Sequence, residues 1–290
     1  MTLQLLKSDI EKRLEALLES TDYTPPNLAA AMRHAMLSGG KRFRPLLFVL
    51  TVPQLNHRKA AIDIGCAVEM VHTASLILDD LPCMDDAALR REKPTTHIVF
   101  GQATAILAGI SLLTRGINIL ATVEGVSGEA RARLVASLSL AVGATGLAAG
   151  QEVDLNGAYA QDVDVERKNW LKTGKLFAAM AEMSSILDVR PDHQSEALTE
   201  MAFHIGSAFQ ALDDLLDVIA LKETLGKDIG KDLGKMTMVS DRGEAATRCL
   251  YISHLEAAER ALGRCGVEQE SIRHMLRSIH LLVPPQIKAF

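Results

Sequence analysis

The sequence predicts an all-α protein, and three observations predict it. Apolar residues return every third or fourth position in segment after segment, as a helix with one buried face requires. Alternating β-branched runs, the mark of half-buried strands, are missing from all 290 positions. Glycine- and proline-containing pairs fall where one periodic segment gives way to the next. With 48% hydrophobic side chains the chain can bury one large core, so a single domain over 1–290 is expected.

Taken in order, Leu3, Leu6, Ile10, Leu14 and Leu17 mark an amphipathic first helix, and Pro25-Pro26 ends the linker that follows it. A second helix is expected from near Asn27 to about Leu37, where Ser38-Gly39-Gly40 breaks it. The basic loop KRFRPLL follows, and its Pro45 suits the first turn of another helix. Residues 59–80 read as a long helix carrying His72, and Pro82 makes a regular helix through Asp85 improbable. Further helices are expected over 101–123, 129–155, 163–189 and 195–220, separated by Gly125 to Gly128, Asn156-Gly157 and Arg190-Pro191. The uncharged run from Leu134 to Gly150, 17 residues long, is short for a membrane span and reads as a buried central helix. Its Gly143, Gly146 and Gly150 suggest the close approach of a neighbour. The Gly- and Lys-rich segment between Leu221 and Asp241 reads as a mobile surface connection, and 242–282 as amphipathic helix before Pro284-Pro285.

Composition removes several function classes. A net charge of -5 and a pI near 6.0 argue against a nucleic-acid surface. The four cysteines, Cys66, Cys83, Cys249 and Cys265, show neither CxxC spacing nor a dense framework and are expected as reduced thiols. The N-terminus mixes acids and bases through its apolar positions, unlike a signal peptide, so a cytoplasmic protein with no membrane span is expected.

Two acidic clusters interrupt this apolar pattern. HTASLILDDLPCMDDAALRR, from His72 to Arg91, places Asp79, Asp80, Asp85 and Asp86 directly after an apolar segment. QALDDLLD, from Gln210, sets Asp213, Asp214 and Asp217 at helical spacing, with Asp213 and Asp217 one turn apart. Like charges at that spacing repel, so two such clusters in apolar sequence suit hard divalent cations, which take carboxylate and phosphate oxygens. Upstream, Gly39-Gly40-Lys41 invites comparison with a P-loop, but the earlier glycine is missing and Arg42 stands where Ser or Thr is needed. Lys41, Arg42 and Arg44 are left as three cations able to grip an anion.

With KRFRP, HTASLILDDLPCMDDAALRR and FQALDDLLD in chain order, the sequence resembles the trans-isoprenyl diphosphate synthases, and among them bacterial geranylgeranyl diphosphate synthases. The resemblance implies an isoprenoid synthase-type helical bundle around a deep central cavity, normally a homodimer. It implies that Asp79, Asp80, Asp85, Asp213, Asp214 and Asp217 bind Mg²⁺, three ions per active site with Mn²⁺ as a possible substitute. Lys41, Arg44, His72 and Arg91 match residues that bind isopentenyl diphosphate. Arg90, Lys172, Thr173, Gln210, Lys227 and Lys235 match those around the allylic diphosphate, whether dimethylallyl, geranyl or farnesyl. By the same resemblance Asp79, Asp80, Asp85, Arg90, Lys172, Thr173, Gln210, Asp213 and Lys227 carry the catalysis. Ala74 and Ser75 occupy chain-length positions, and in related farnesyl synthases an aromatic at the position matching Ala74 acts as a floor, so small residues here imply a C20 product. Ala87 and Ala88 replace acids of some relatives, Glu92 stands where glycine is usual, Ala220 replaces a glycine, and the segment after Thr237 and the PPQIKAF tail are atypical.

Three other readings are weighed. A farnesyl (C15) synthase differs only in the floor. A class I terpene cyclase would carry Asn, Ser or Thr with Glu in its second motif, where this chain has DDLLD, and would not need KRFRP. A non-catalytic regulatory subunit would be expected to have lost one acidic motif, and both stand.

Overall fold

The computed structural model describes residues 2–18, 24–156, 164–223 and 237–281, and these are helical almost throughout. They divide into two compact units, Met1–Ser139 with Ile186–Asp188, and Leu140–Ser185 with Val189–Phe290.

The first unit is built around one buried helix. Helix α1 (Leu3–Leu17) starts at Thr2, whose hydroxyl accepts from the Leu5 amide at 3.3 Å, and buries Leu6, Ile10, Leu14 and Leu17 as their spacing requires. Helices α2 (Pro26–Leu37) and α3 (Phe43–Leu50) follow, with Pro45 in the first turn of α3. Helix α4 (Arg58–Asp79) packs on α1, α3 and α6 (Gln102–Thr122) and is covered from Ala60 to Ile77. Small residues let the neighbours close in. A Cβ added to Gly65 would lie 3.2 Å from the Pro45 backbone, and one on Gly116 only 2.9 Å from Ala67 O.

In the second unit α8 (Leu147–Asn156) packs on a π-helical turn, Trp170–Gly174, which joins α9 (Val165–Asn169) to α10 (Lys175–Leu187). Helix α11 (Asp192–Glu223) runs along α13 (Glu244–Leu262), with α12 (Met238–Arg242) and α14 (Gln269–Leu281) packed beside them. Glycines decide this packing too: the Cβ of a residue at 206 would sit 3.1 Å from Gly174 Cα.

Several expectations need correction. The helix expected over 129–155 is two, α7 (Gly128–Val142) and α8. A Cβ on Gly146 would fall 1.9 Å from Ala141 O, so the chain turns where only glycine fits. Nor is the run from Leu134 a buried central helix, since Leu140 is exposed. The 163–189 segment is α9, the π turn and α10, and 242–282 is α13 and α14 with a break between. A short helix α5 (Thr96–Phe100) and a two-stranded hairpin, β1 (Leu89–Arg90) with β2 (Lys93–Pro94), were not foreseen. By length and composition Leu55–Asp79 and Gln102–Thr122 could each cross a membrane; Gly128–Asn156 is as apolar, but the turn at Gly146 divides it into α7 and α8. Over its most apolar 18 residues the first is 72% buried, against 39% for the second, on which Ile106, Leu107 and Ile110 are exposed. Most of the connection from Leu221 to Asp241, and Pro284-Pro285, lie outside the described residues.

Candidate active site

In the first unit the end of α4 and the loop after it bring the early aspartates together. Pro82 lies beyond the helix, and the chain curls back so that the Asp85 amide donates to Asp79 O at 2.9 Å and the Ala87 amide to Asp80 O at 3.2 Å. Residues 79 and 85 thus become neighbours with no helix joining them. Asp80 is buried, and Arg90 clasps it through Nη2 to Oδ1 at 2.6 Å and Nε to Oδ1 at 3.1 Å. Burial raises the Asp80 pKa, the Arg90 contact opposes that rise, and the Asp85 charge adds to it. Asp79 and Asp85 are only half-buried.

Beside the carboxylates lies a cluster of cations. Arg44 Nη1 stands 3.2 Å from His72 Nε2. Guanidinium can only donate, so this imidazole nitrogen accepts and the ring proton sits on Nδ1. Burial, then repulsion from Arg44, Arg91, Arg90 and Arg42, holds the His72 pKa well below 6.5, so the ring is neutral at pH 7. Arg91 donates to Gly39 O, and Gly40 has no side chain to block it: a Cβ there would lie 2.8 Å from Arg91 Nη1. Lys41 is exposed. Arg42 does not join an anion-gripping trio. It is 2% exposed, in the left-handed region at φ 50, and it pairs with Glu69 at 3.1 Å and with Met36 O at 2.7 Å.

In the second unit Lys172 and Thr173 sit on the π turn, an irregularity often found at functional sites. Thr173 Oγ1 donates to Gln210 Oε1 at 2.9 Å, Gln210 Nε2 donates to Asp214 Oδ1 at 2.8 Å, and the Met238 amide donates to Asp214 Oδ2 at 2.7 Å. Asp214 is therefore buried with both oxygens engaged, its pKa raised chiefly by burial, and it ties α12 to α11. Asp213 is exposed on the same helix. The side chain of Asp217, and Lys227 and Lys235 altogether, lie outside the described residues. Among the described residues no group of three or more His, Cys, Asp or Glu forms a ready-made cage for a metal ion.

Ala74 and Ser75 differ in surroundings. Ala74 is 2% exposed, on the α6 side near Gly109, whereas Ser75 is half-buried and donates to His72 O at 2.9 Å. Sequence reasoning missed Glu69, Asp154 and Lys168. Asp154 accepts from Lys168 Nζ at 2.7 Å and from Lys172 Nζ at 2.6 Å. The i, i+4 spacing of the two lysines was readable, but not the carboxylate they share.

Comparison with known proteins gives a consistent answer. Residues 25–240 match the family model described as Polyprenyl synthetase. The chain is 41% identical over 279 residues to the geranylgeranyl diphosphate synthase of Pseudescherichia vulneris, covering 94% of this chain and 90% of that one. It is 38% identical over 271 residues to the farnesyl diphosphate synthase of Bacillus subtilis, covering 91% of each. Among solved structures, an FPP/GFPP synthase from Zymomonas mobilis superposes with a TM-score of 0.83 at 33% identity, covering 96% of this chain and 97% of that one. A geranyltransferase from Helicobacter pylori, complexed with magnesium and isoprenyl diphosphate, gives 0.81 at 28% identity, covering 97% and 98%.

Proposed function

Because this chain belongs to the polyprenyl synthetase family, we propose that it condenses isopentenyl diphosphate head-to-tail with dimethylallyl, geranyl and farnesyl diphosphates, giving mainly the C20 geranylgeranyl diphosphate. Membership makes it a trans-prenyltransferase of the all-α isoprenoid synthase fold. The observation that carries the substrate reading is the crowding of Arg44, Arg90 and Arg91 around a neutral His72. Forked guanidinium donors gathered beside a neutral imidazole suit a diphosphate, which accepts several charge-assisted hydrogen bonds at once.

Each group then has a task. Arg44, Arg91 and Lys41 hold the isopentenyl diphosphate, which must stay attached, by charge alone, and the His72 Nδ1–H supplies a neutral donor. Lys172, Thr173, Gln210 and Arg90, with Lys227 and Lys235, orient the allylic diphosphate, which must leave. Its departure gives an allylic cation, the isopentenyl double bond attacks, and loss of a proton to the departed diphosphate completes a chain five carbons longer. Apolar surroundings keep water from that cation.

Magnesium fits the donor set. Asp79 and Asp85 after α4, and Asp213 on α11, offer hard carboxylate oxygens, and an ion that keeps waters and takes phosphate oxygens needs only one or two carboxylates from the protein. When bound by these aspartates, with Asp80, Asp214 and Asp217, it would stabilise the charge on the departing diphosphate. Three ions, with Mn²⁺ as substitute, remain part of the proposal.

Support for C20 comes from the small side chains of Ala74 and Ser75, Ser75 being the more accessible, while the similarity to the Bacillus subtilis enzyme favours C15 as the alternative. We further propose a single functional domain, a cytoplasmic location and a homodimer. The family match runs through residues of both compact units, and the four cysteines are unbonded. Exposed Ile98, Val99, Ile106, Leu107 and Ile110 on α5 and α6 offer an apolar face for a second copy to cover.

Gel filtration coupled to turnover tests this reading. The protein alone, eluting at about twice its 31.4 kDa chain mass, should consume isopentenyl diphosphate only with Mg²⁺ or Mn²⁺. Asp79→Ala or Asp213→Ala should lower turnover by about 10²-fold or more. Undiminished activity in excess chelator, or an inactive protein that needs a partner subunit, would overturn it.

A further inference from the structure

We propose that Asp154 and Lys168 are positioning residues for Lys172, with Lys168 serving as the standing counter-charge that lets Lys172 leave Asp154 for the allylic diphosphate. The proposal rests on the reading that Lys172 contacts that diphosphate.

One carboxylate is shared by two ammonium groups, Lys168 Nζ on Oδ1 at 2.7 Å and Lys172 Nζ on Oδ2 at 2.6 Å. The side chains of Asp154 and Lys168 are 6% and 7% exposed, while that of Lys172 is 26% exposed. Of the two lysines, only Lys172 can turn toward a ligand without being dug out of the protein. Were it the sole partner, its departure would strand a buried carboxylate, which is strongly unfavourable. Lys168 removes that obstacle, because Asp154 stays paired when Lys172 moves. The two lysines also outweigh burial and hold the Asp154 pKa down at about 2, so the carboxylate is ionised throughout the working range.

Local geometry places the triad. Gly150 brings α8 against the π turn, since a Cβ there would lie 2.3 Å from the Lys172 backbone nitrogen. Asp154 follows one turn later on the same face of α8. Lys168 and Lys172 are four residues apart across the junction of α9 with the π turn, and both reach back to it. Together the three groups carry one net positive charge.

The test is a double-mutant cycle read in kcat and in the KM of each substrate. Wild type is compared with Asp154→Asn, Lys168→Met, Lys172→Ala and the pair Asp154→Asn with Lys172→Ala, each checked for helical circular dichroism. Asp154→Asn and Lys168→Met should each raise the allylic KM about tenfold while leaving the isopentenyl KM in place. In the Lys172→Ala background, Asp154→Asn should add roughly twofold or less, because it acts only through Lys172. Equal rises in both KM values, or full additivity in the double variant, would overturn the proposal. An unchanged allylic KM in Lys172→Ala would instead strike the reading beneath it, and the proposal with it. If Asp154→Asn does not fold, Lys168→Met decides alone, since it leaves the Asp154–Lys172 pair intact; an unchanged allylic KM there overturns the proposal.

Discussion

A neutral histidine held among arginines is a liability in acid. Folded His72 refuses a proton until well below pH 6.5, whereas an unfolded histidine accepts one near 6.5. Below that value the unfolded state binds more protons, so stability falls as pH drops from about 6.5 toward the folded pKa and is intact above it. Between pH 7 and 5.5 the wild type should lose about 1 kcal/mol more than His72→Asn in denaturant unfolding. Equal losses in the two proteins would contradict the electrostatic picture of this site. His204 and His254 shift in the same direction but are common to both proteins, so the comparison isolates His72. The aspartates of both motifs were legible because repeated like charges in apolar sequence are conspicuous. By residue type alone Lys41, Arg42 and Arg44 were not separable, although the resemblance left Arg42 out, since three neighbouring cations look alike until Glu69, 27 positions beyond Arg42, takes one of them inside. The bond between Lys168 and Asp154 stayed hidden for the same reason.

The hairpin β1–β2, which carries Arg90 into reach of Asp80, is the element whose local chemistry disagrees with its shape. Leu89 pairs with Pro94 and Arg90 with Lys93, leaving Arg91-Glu92 as a two-residue loop with φ of 53 and 64. A loop with both central residues left-handed favours Asn-Gly, and a side chain there is strained. Glu92 stands where the resemblance leads one to expect glycine, and the conformation gives the reason for that expectation. Glu92→Gly should stabilise the protein by about 0.5–1 kcal/mol, read as a higher midpoint of thermal unfolding. An unchanged or lower midpoint would show that the strain is relieved in some other way. A strand two residues long offers no alternation to detect, which is why periodicity missed this hairpin. The helices were legible for the opposite reason: α1 buries Leu6, Ile10, Leu14 and Leu17 in full accord with their spacing. Between α7 and α8 the apolar pattern continues across Gly143–Gly146, so only the backbone turn at Gly146 separates them.

At the scale of the molecule, composition and periodicity gave the all-α class, and the motif order gave the family that the comparisons show. Division into two compact units left no mark on composition. Product length is the least legible property. In the proposed reading it depends on room beside Ala74 and Ser75, set by side-chain volume at a few positions, and relatives of similar identity include both geranylgeranyl and farnesyl diphosphate synthases. The most direct test incubates the purified protein and Mg²⁺ with radiolabelled isopentenyl diphosphate and each allylic primer, and separates the products by chain length. The account predicts C20 as the main product from dimethylallyl, geranyl and farnesyl diphosphates alike; accumulation of C15 with no extension of farnesyl diphosphate would contradict it.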